Sequence, residues 1–188
     1  GATAPEYGNV SSDFVKLHET TLGSDTTTVS IDGHFTSDYK HYLLQLDIVP
    51  AQDGINFYMR YNVGGTVQTG NYYRGTLTGS ERYSSGQNYG TQGSQWYEAY
   101  ITGHSGTQGN NDAYGGANVT QWLYDPLDTT RYTFMNQVHV YNNNANNNII
   151  QGFGGHCWQQ ASAVSGITYY TSNGDFKTGS NFNLYGLK

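Results

Sequence analysis

Apolar and polar side chains alternate strictly over three long stretches of the chain. In 41–49, Tyr42, Leu44, Leu46 and Ile48 alternate with Gln45 and Asp47. In 55–63 the apolar set is Ile55, Phe57, Met59, Tyr61 and Val63, with Asn56, Arg60 and Asn62 between them. In 131–140 it is Tyr132, Phe134, Val138 and Val140 against Arg131, Thr133, Gln137 and His139. Successive side chains of a strand point to opposite faces, so a sustained period of two predicts a strand with one face on a core and the other in water. Tyr42, Leu44, Leu46, Ile48, Phe57, Met59, Tyr61, Phe134, Val138 and Val140 are therefore expected to share one apolar core.

Weaker alternation predicts further strands at 14–21, 27–31, 96–102, 119–124, 149–158, 164–170 and 181–187. Breakers separate them: Pro50-Ala51-Gln52-Asp53-Gly54, Gly64-Gly65, Asp125-Pro126 and Asn173-Gly174-Asp175. Gly reaches positive φ, Pro presets φ, and Asn or Asp bonds back onto its own backbone. Gly64-Gly65 has the form of a two-residue hairpin turn. No stretch repeats apolar residues at helical spacing over three turns, so no substantial helix is predicted. About ten short strands joined by such turns predict an all-β, antiparallel, jelly-roll-like sandwich. It is expected to fill residues 13–188 as one domain, behind an N-terminal extension or linker at 1–12. Two segments, Asn71–Gln95 and Gly103–Asn118, carry Gly, Ser, Asn, Gln and Tyr with almost no aliphatic residues. They read as long polar loops, and loops beyond ~12–15 residues in a compact domain are usually functional or disordered. Asn142–Asn148 is nearly all Asn and reads as an exposed connection.

Composition narrows the function classes. Charged residues make up 12% of the 188 residues, about half the usual share, but 18 Tyr, 7 Phe and 3 Trp supply enough apolar area for a core. The net charge is −6 and the 8 Lys and Arg are scattered singly. No basic stripe is present to neutralise phosphates, so nucleic acid is not expected as a partner. No apolar run approaches the ~20 residues of a membrane span, so no membrane insertion is expected. A single cysteine, Cys157, excludes an internal disulfide framework. It reads as a small buried apolar residue, and its neighbour His156 would point to the opposite face of a strand. Gly1 in place of Met marks a cut or engineered N-terminus, and whether a segment precedes it stays open.

Catalytic and metal signatures are sparse. The six His stand at 18, 34, 41, 104, 139 and 156 without paired ligand spacing, and no cofactor or metal is expected. A calcium held by scattered Asp and carbonyl groups stays open. Of the four Glu, Glu98 lies between Trp96 and Tyr100 on a predicted strand, where a sugar hydrolase could carry an acid. Such chemistry needs a second carboxylate across a cleft, and the chain is expected not to be an enzyme. The aromatic residues of the polar segments carry more. Tyr72, Tyr73, Tyr83, Tyr89 and Tyr114 lie where no core alternation explains them, and Arg74 and Arg82 sit among them. Tyr offers a large rigid contact with a polar tip, and Arg a planar fork of donors. These seven residues are the candidate ligand-binding set, with packing against the chain's own loops or a neighbouring subunit as the competing reading.

Two stretches resemble tailed-phage virion structural proteins. One is Gly33-His34-Phe35-Thr36-Ser37-Asp38-Tyr39-Lys40-His41-Tyr42-Leu43-Leu44, an apolar residue and short turn leading through Tyr-Lys-His into an alternating strand. The other runs from Trp158 through Ala163-Val164-Ser165-Gly166-Ile167 and Asn173–Gly179 to Leu184-Tyr185-Gly186-Leu187-Lys188. The likeness covers most of 13–188, while Asn71–Asn118 departs from it. It implies a jelly-roll-like head of a fibre, tail appendage or capsid decoration protein, located in the virion and associated with other virion proteins, often as a homotrimer. No catalytic residue carries over. The leading expectation is host-surface attachment through a glycan. Capsid decoration is the alternative, and a secreted carbohydrate-binding module or glycoside-active enzyme is the reading from another class.

Overall fold

The computed structural model describes residues 13–80, 89–92, 99–102, 115–143 and 148–188. The described residues form thirteen strands and no helix. In chain order they are β1 (Phe14–Thr21), β2 (Thr28–Asp32), β3 (His41–Ile48), β4 (Phe57–Val63), β5 (Thr66–Val67), β6 (Tyr72–Ser80), β7 (Tyr89–Gln92), β8 (Ala99–Tyr100), β9 (Ala117–Tyr124), β10 (Thr133–Asn143), β11 (Asn148–Trp158), β12 (Gly166–Thr171) and β13 (Asn181–Leu187). The hairpin from β4 to β5 turns on Gly64 and Gly65, both at positive φ (54° and 79°). That is the conformation a tight two-residue turn needs and that only glycine reaches without strain.

The pairings are nested. β1 pairs β13, β2 pairs β12, β3 pairs β9 and β4 pairs β8, all antiparallel. A long hairpin wrapped in this way is a jelly roll. One sheet runs β1-β13-β3-β9-β10-β11-β6-β7; the other runs β2-β12-β4-β5, with β8 also on β4. The first four strands of the large sheet complete the jelly roll, and β10, β11, β6 and β7 extend it sideways.

The core follows the alternation through β3 and β4. Tyr42, Leu44, Ile48, Phe57, Met59 and Tyr61 are fully buried and Leu46 almost so. Phe182 and Leu184 of β13 and Ile167 and Tyr169 of β12 close the same cluster. Phe57 of the small sheet stacks on Phe176 at 5.6 Å, and Phe176 meets Phe182 of the large sheet edge-on at 5.3 Å. Rings thus tie the two sheets together in the preferred offset and T-shaped geometries.

β10 departs from expectation. Phe134, Val138 and Val140 are 51, 50 and 42% exposed, while Thr133, Met135, Gln137, His139 and Tyr141 face inward. The reason is register: Met135, Gln137, His139 and Tyr141 stand opposite Leu123, Gln121, Val119 and Ala117 of β9, all of them buried. Cross-strand partners share a face, so β9 dictates which side of β10 is inside. The buried amides are connected. Tyr169 donates to Gln121 Oε1 (2.8 Å), Gln121 Nε2 donates to Gln137 Oε1 (3.1 Å), and Gln137 Nε2 donates to the Tyr100 carbonyl (3.0 Å). Hydrogen-bonded in this way, amides become tolerable in a core.

Candidate functional site

Of the ligand-binding set read from the sequence, the described side chains are those of Tyr72 and Tyr73. Segment 71–95, expected as a loop, contains β6 and β7, and β6 pairs β11 along its whole length. Tyr72 is therefore a core residue with no surface for a ligand. Its hydroxyl accepts the Tyr61 N–H (2.8 Å) and donates to the Gln68 carbonyl (3.1 Å), and its ring stacks on Tyr61 at 5.9 Å. Tyr73 is half-buried opposite Cys157, Arg74 stands opposite His156, and Tyr89 opposite Thr78. Arg82, Tyr83 and Tyr114 lie outside the described residues, as do Glu98 and most of segment 103–118, whose last two residues begin β9. Cys157 is partly buried, which pushes its thiol pKa up, and His156 faces the opposite side of β11. Among the described residues no three His, Cys, Asp or Glu come together as a metal site.

A pocket does form at the turn from β9 to β10. It encloses about 230 Å³ between the start of β3 (Lys40, His41) and residues 124–134. The turn is fixed from within. Asp125 adopts a positive φ of 43°, and its N–H donates to the Lys40 carbonyl (2.6 Å). The Asp128 carboxylate accepts the Thr130 N–H (2.7 Å), the Thr130 hydroxyl (2.6 Å) and the Arg131 Nε–H (2.7 Å). The two Thr130 bonds and then Arg131 hold Asp128 well below the usual carboxylate range, because each donor favours the charged form. Arg131 Nη2 also reaches Asp125 Oδ2 at 3.4 Å, and the Arg131 side chain is 68% exposed. The guanidinium is therefore anchored on one edge and presented to solvent on the other.

Aromatic rings wall this pocket. Tyr124, Tyr132 and Phe134 are 38, 47 and 51% exposed, and the His41 ring meets Tyr124 edge-on at 5.6 Å. Ring faces beside an oriented Arg fork suit a ligand with one apolar face and several polar groups, the description of a saccharide. An ionised Asp128 accepts hydrogen bonds and has no proton to give, so it suits binding rather than general-acid work. Sequence reading took Asp125-Pro126 only as a strand breaker. The available signal was the spacing of Asp125, Asp128 and Arg131 in a turn bracketed by Tyr124 and Tyr132.

The pocket opens onto an apolar sheet face that shares Tyr124 and Phe134 with it. Val138, Val140, Ile149 and Phe153 continue this face across β10 and β11, each 42 to 60% exposed. The remaining outward positions of β9, β10 and β11 are Asn118, Thr120, Trp122, Asn136, Asn142, Gln151, Gly155 and Cys157, and none is charged. Asn136 Nδ2 donates to the Tyr124 hydroxyl at 3.2 Å.

No protein-family model matches the chain, and no curated protein matches it in sequence.

Proposed function

We propose that this chain is a virion structural protein, a jelly-roll head that attaches to a host-surface glycan at the pocket between β3 and the β9–β10 turn. The observation that carries the reading is Arg131, held by Asp128 and Asp125 among three part-exposed rings. A pyranose presents one face of C–H groups to a ring and a girdle of hydroxyls to donors and acceptors. Tyr132 and Phe134 supply the stacking surface, and Arg131, Lys40 and the free lone pairs of Asp125 supply the polar partners. Because the guanidinium is already oriented, little conformational entropy is lost on binding. The resemblance to tailed-phage virion proteins supports the setting, and the jelly-roll wrap is compatible with it, since viral capsid and lectin domains share this architecture. Architecture by itself assigns no function.

The test is attachment of labelled protein to an array of bacterial surface polysaccharides and to cells that bind the wild type. Arg131→Ala with Tyr132→Ala is expected to weaken binding about tenfold or more, as loss of hot-spot contacts does, at unchanged melting temperature. Tyr83→Ala and Tyr89→Ala are run beside it. If these abolish attachment and the pocket pair does not, the glycan belongs to the loop tyrosines and the pocket reading is wrong. Capsid decoration is the second reading, favoured by the uncharged apolar face. Purified protein that binds capsids but no glycan would establish it.

A further inference from the structure

We infer that the outward face of β10 and β11 is an interface between copies of this chain. The inference does not require host attachment, but it shares Tyr124, Tyr132 and Phe134 with the proposed glycan pocket, so one contact excludes the other at those rings. Its first support is the inverted phase of β10. Gln137 and His139 occupy the inner side, Gln137 hydrogen-bonded to Gln121 and to the Tyr100 carbonyl, while Phe134, Val138, Val140, Ile149 and Phe153 stand in solvent. A polar inner face and an apolar outer one is the reverse of a strand that meets water on its outer side.

The second support is area. With roughly 150–250 Å² on each whole aromatic side chain, the half-exposed rings of Tyr124, Tyr132, Phe134 and Phe153 amount to about 400 Å². Val138, Val140 and Ile149 raise the patch to about 600 Å², the upper end of what a monomer normally exposes. A stable interface buries about 800 Å² per partner, some two-thirds of it apolar between identical subunits. The patch is the right size to be the centre of one.

The third support is charge. The chain carries a net charge of −6, so a contact surface without like charges avoids adding close repulsion between two copies. This face has no charged residue on the outward side of β9, β10 or β11. Among the described residues charge stands at its margins, with Asp47 beside Asn118 on one side and Lys40, Asp125, Asp128 and Arg131 at one end. A neutral apolar centre inside a charged rim is the usual anatomy of a subunit contact.

The experiment uses the whole chain and two readouts. Sedimentation over a concentration series to about 100 µM gives the assembly state. Alkylation of Cys157, the chain's single thiol, reports the face directly, because it stands opposite Phe134 in register. Wild type is expected to reach a multiple of the single-chain mass, with alkylation slowing as concentration rises. Val138→Thr with Phe153→Thr places a β-branched strand former at both positions and is expected to weaken association at least tenfold, restoring a constant alkylation rate. A melting temperature near that of the wild type certifies the fold, and single Val138→Thr and Phe153→Thr variants substitute if the pair fails to fold. A wild type that stays monomeric with alkylation independent of concentration overturns the inference. So does an assembly that the variants leave intact, since another surface then makes it. Protection of Cys157 in a monomer by a soluble oligosaccharide also overturns it and assigns the face to a glycan.

Discussion

β3 and β10 lie on either side of β9 in one sheet, and both alternate apolar with polar residues, yet they use opposite phases. β3 turns Leu44 and Leu46 into the core; β10 turns Gln137 and His139 into it and leaves Val138 outside. The contrast separates two things that alternation is often taken to report together. A period of two says that a strand exists and that its faces differ. Which face is inside is set by the partner strand and by the turn that fixes register, and a slip of one residue would reverse every side chain. At β10 the turn is the charged one, pinned by the Asp125 N–H on Lys40 and by Asp128 on Arg131. The same residues that build the candidate pocket therefore hold β10 with its apolar residues outward.

The largest effect that could break this comparison is a pair of truncations. Leu46→Ala should lose about 2–5 kcal/mol of stability, whereas Val138→Ala, measured at concentrations where the chain is monomeric, should stay within about 0.5 kcal/mol. Equal losses in urea denaturation would place both side chains in one core.

Acid provides the next test. His139 is buried, and neither ring nitrogen has a hydrogen-bond partner among the described residues. Burial lowers its pKa from the ordinary 6.5 to about 4. Between those values the unfolded chain takes up a proton that the folded chain refuses, so stability falls as pH drops through this window. The loss is complete once both states are protonated and amounts to about 3 kcal/mol. His139→Leu should flatten that part of the stability profile; a profile unchanged by the substitution would mean that His139 is solvated or paired.

The buried amides come third. Gln137→Ala removes the acceptor of the Gln121 Nε2–H and the side-chain donor to the Tyr100 carbonyl and should destabilise by about 1–3 kcal/mol, whereas Gln121→Leu, Gln137→Leu and Tyr169→Phe together remove the buried network and should cost less than the single change. A double-mutant cycle in denaturant measures the coupling. The smallest effect belongs to the exposed turn. Arg131→Ala should leave the melting temperature unchanged and let the Asp128 carboxyl rise only part of the way to its ordinary range, because the two Thr130 bonds stay. Carbon-detected NMR titration of Asp128 reads this, and full recovery of an ordinary pKa would show that Arg131 alone holds it.

The sequence made the jelly roll itself legible, because β1, β3, β4 and β13 each state their alternation locally and hairpin breakers stand between strands. β1 and β13 run over the residues read from the sequence, 14–21 and 181–187. β6 was hidden because Gly75, Thr76, Thr78 and Gly79 give no apolar alternation; its strand character comes from backbone pairing with β11. Tyr72 accordingly looked like a loop aromatic, although its hydroxyl serves two backbone groups in the core. The phase of β10 was hidden for a different reason. What makes Gln137 acceptable inside is Gln121 and Tyr100, 16 and 37 residues away, and no local window contains them. The pocket was missed because its rings come from two strand ends and its charges from the turn between them.

The nested pairing also orders events in time. β13, at the far end of the described chain, lies between β1 and β3 in the middle of the jelly-roll half of the large sheet. Phe14 stands opposite Leu187, and the Lys188 N–H reaches back to the Asp13 carbonyl at 3.0 Å. During synthesis β1 and β3 leave the ribosome early and wait, each with an unpaired edge, until residues 181–187 arrive to join them. Such contacts between distant parts of a chain are slow to form and leave strand edges exposed meanwhile. A ribosome that stops before residue 181 releases a chain missing an interior strand, not one missing a tail.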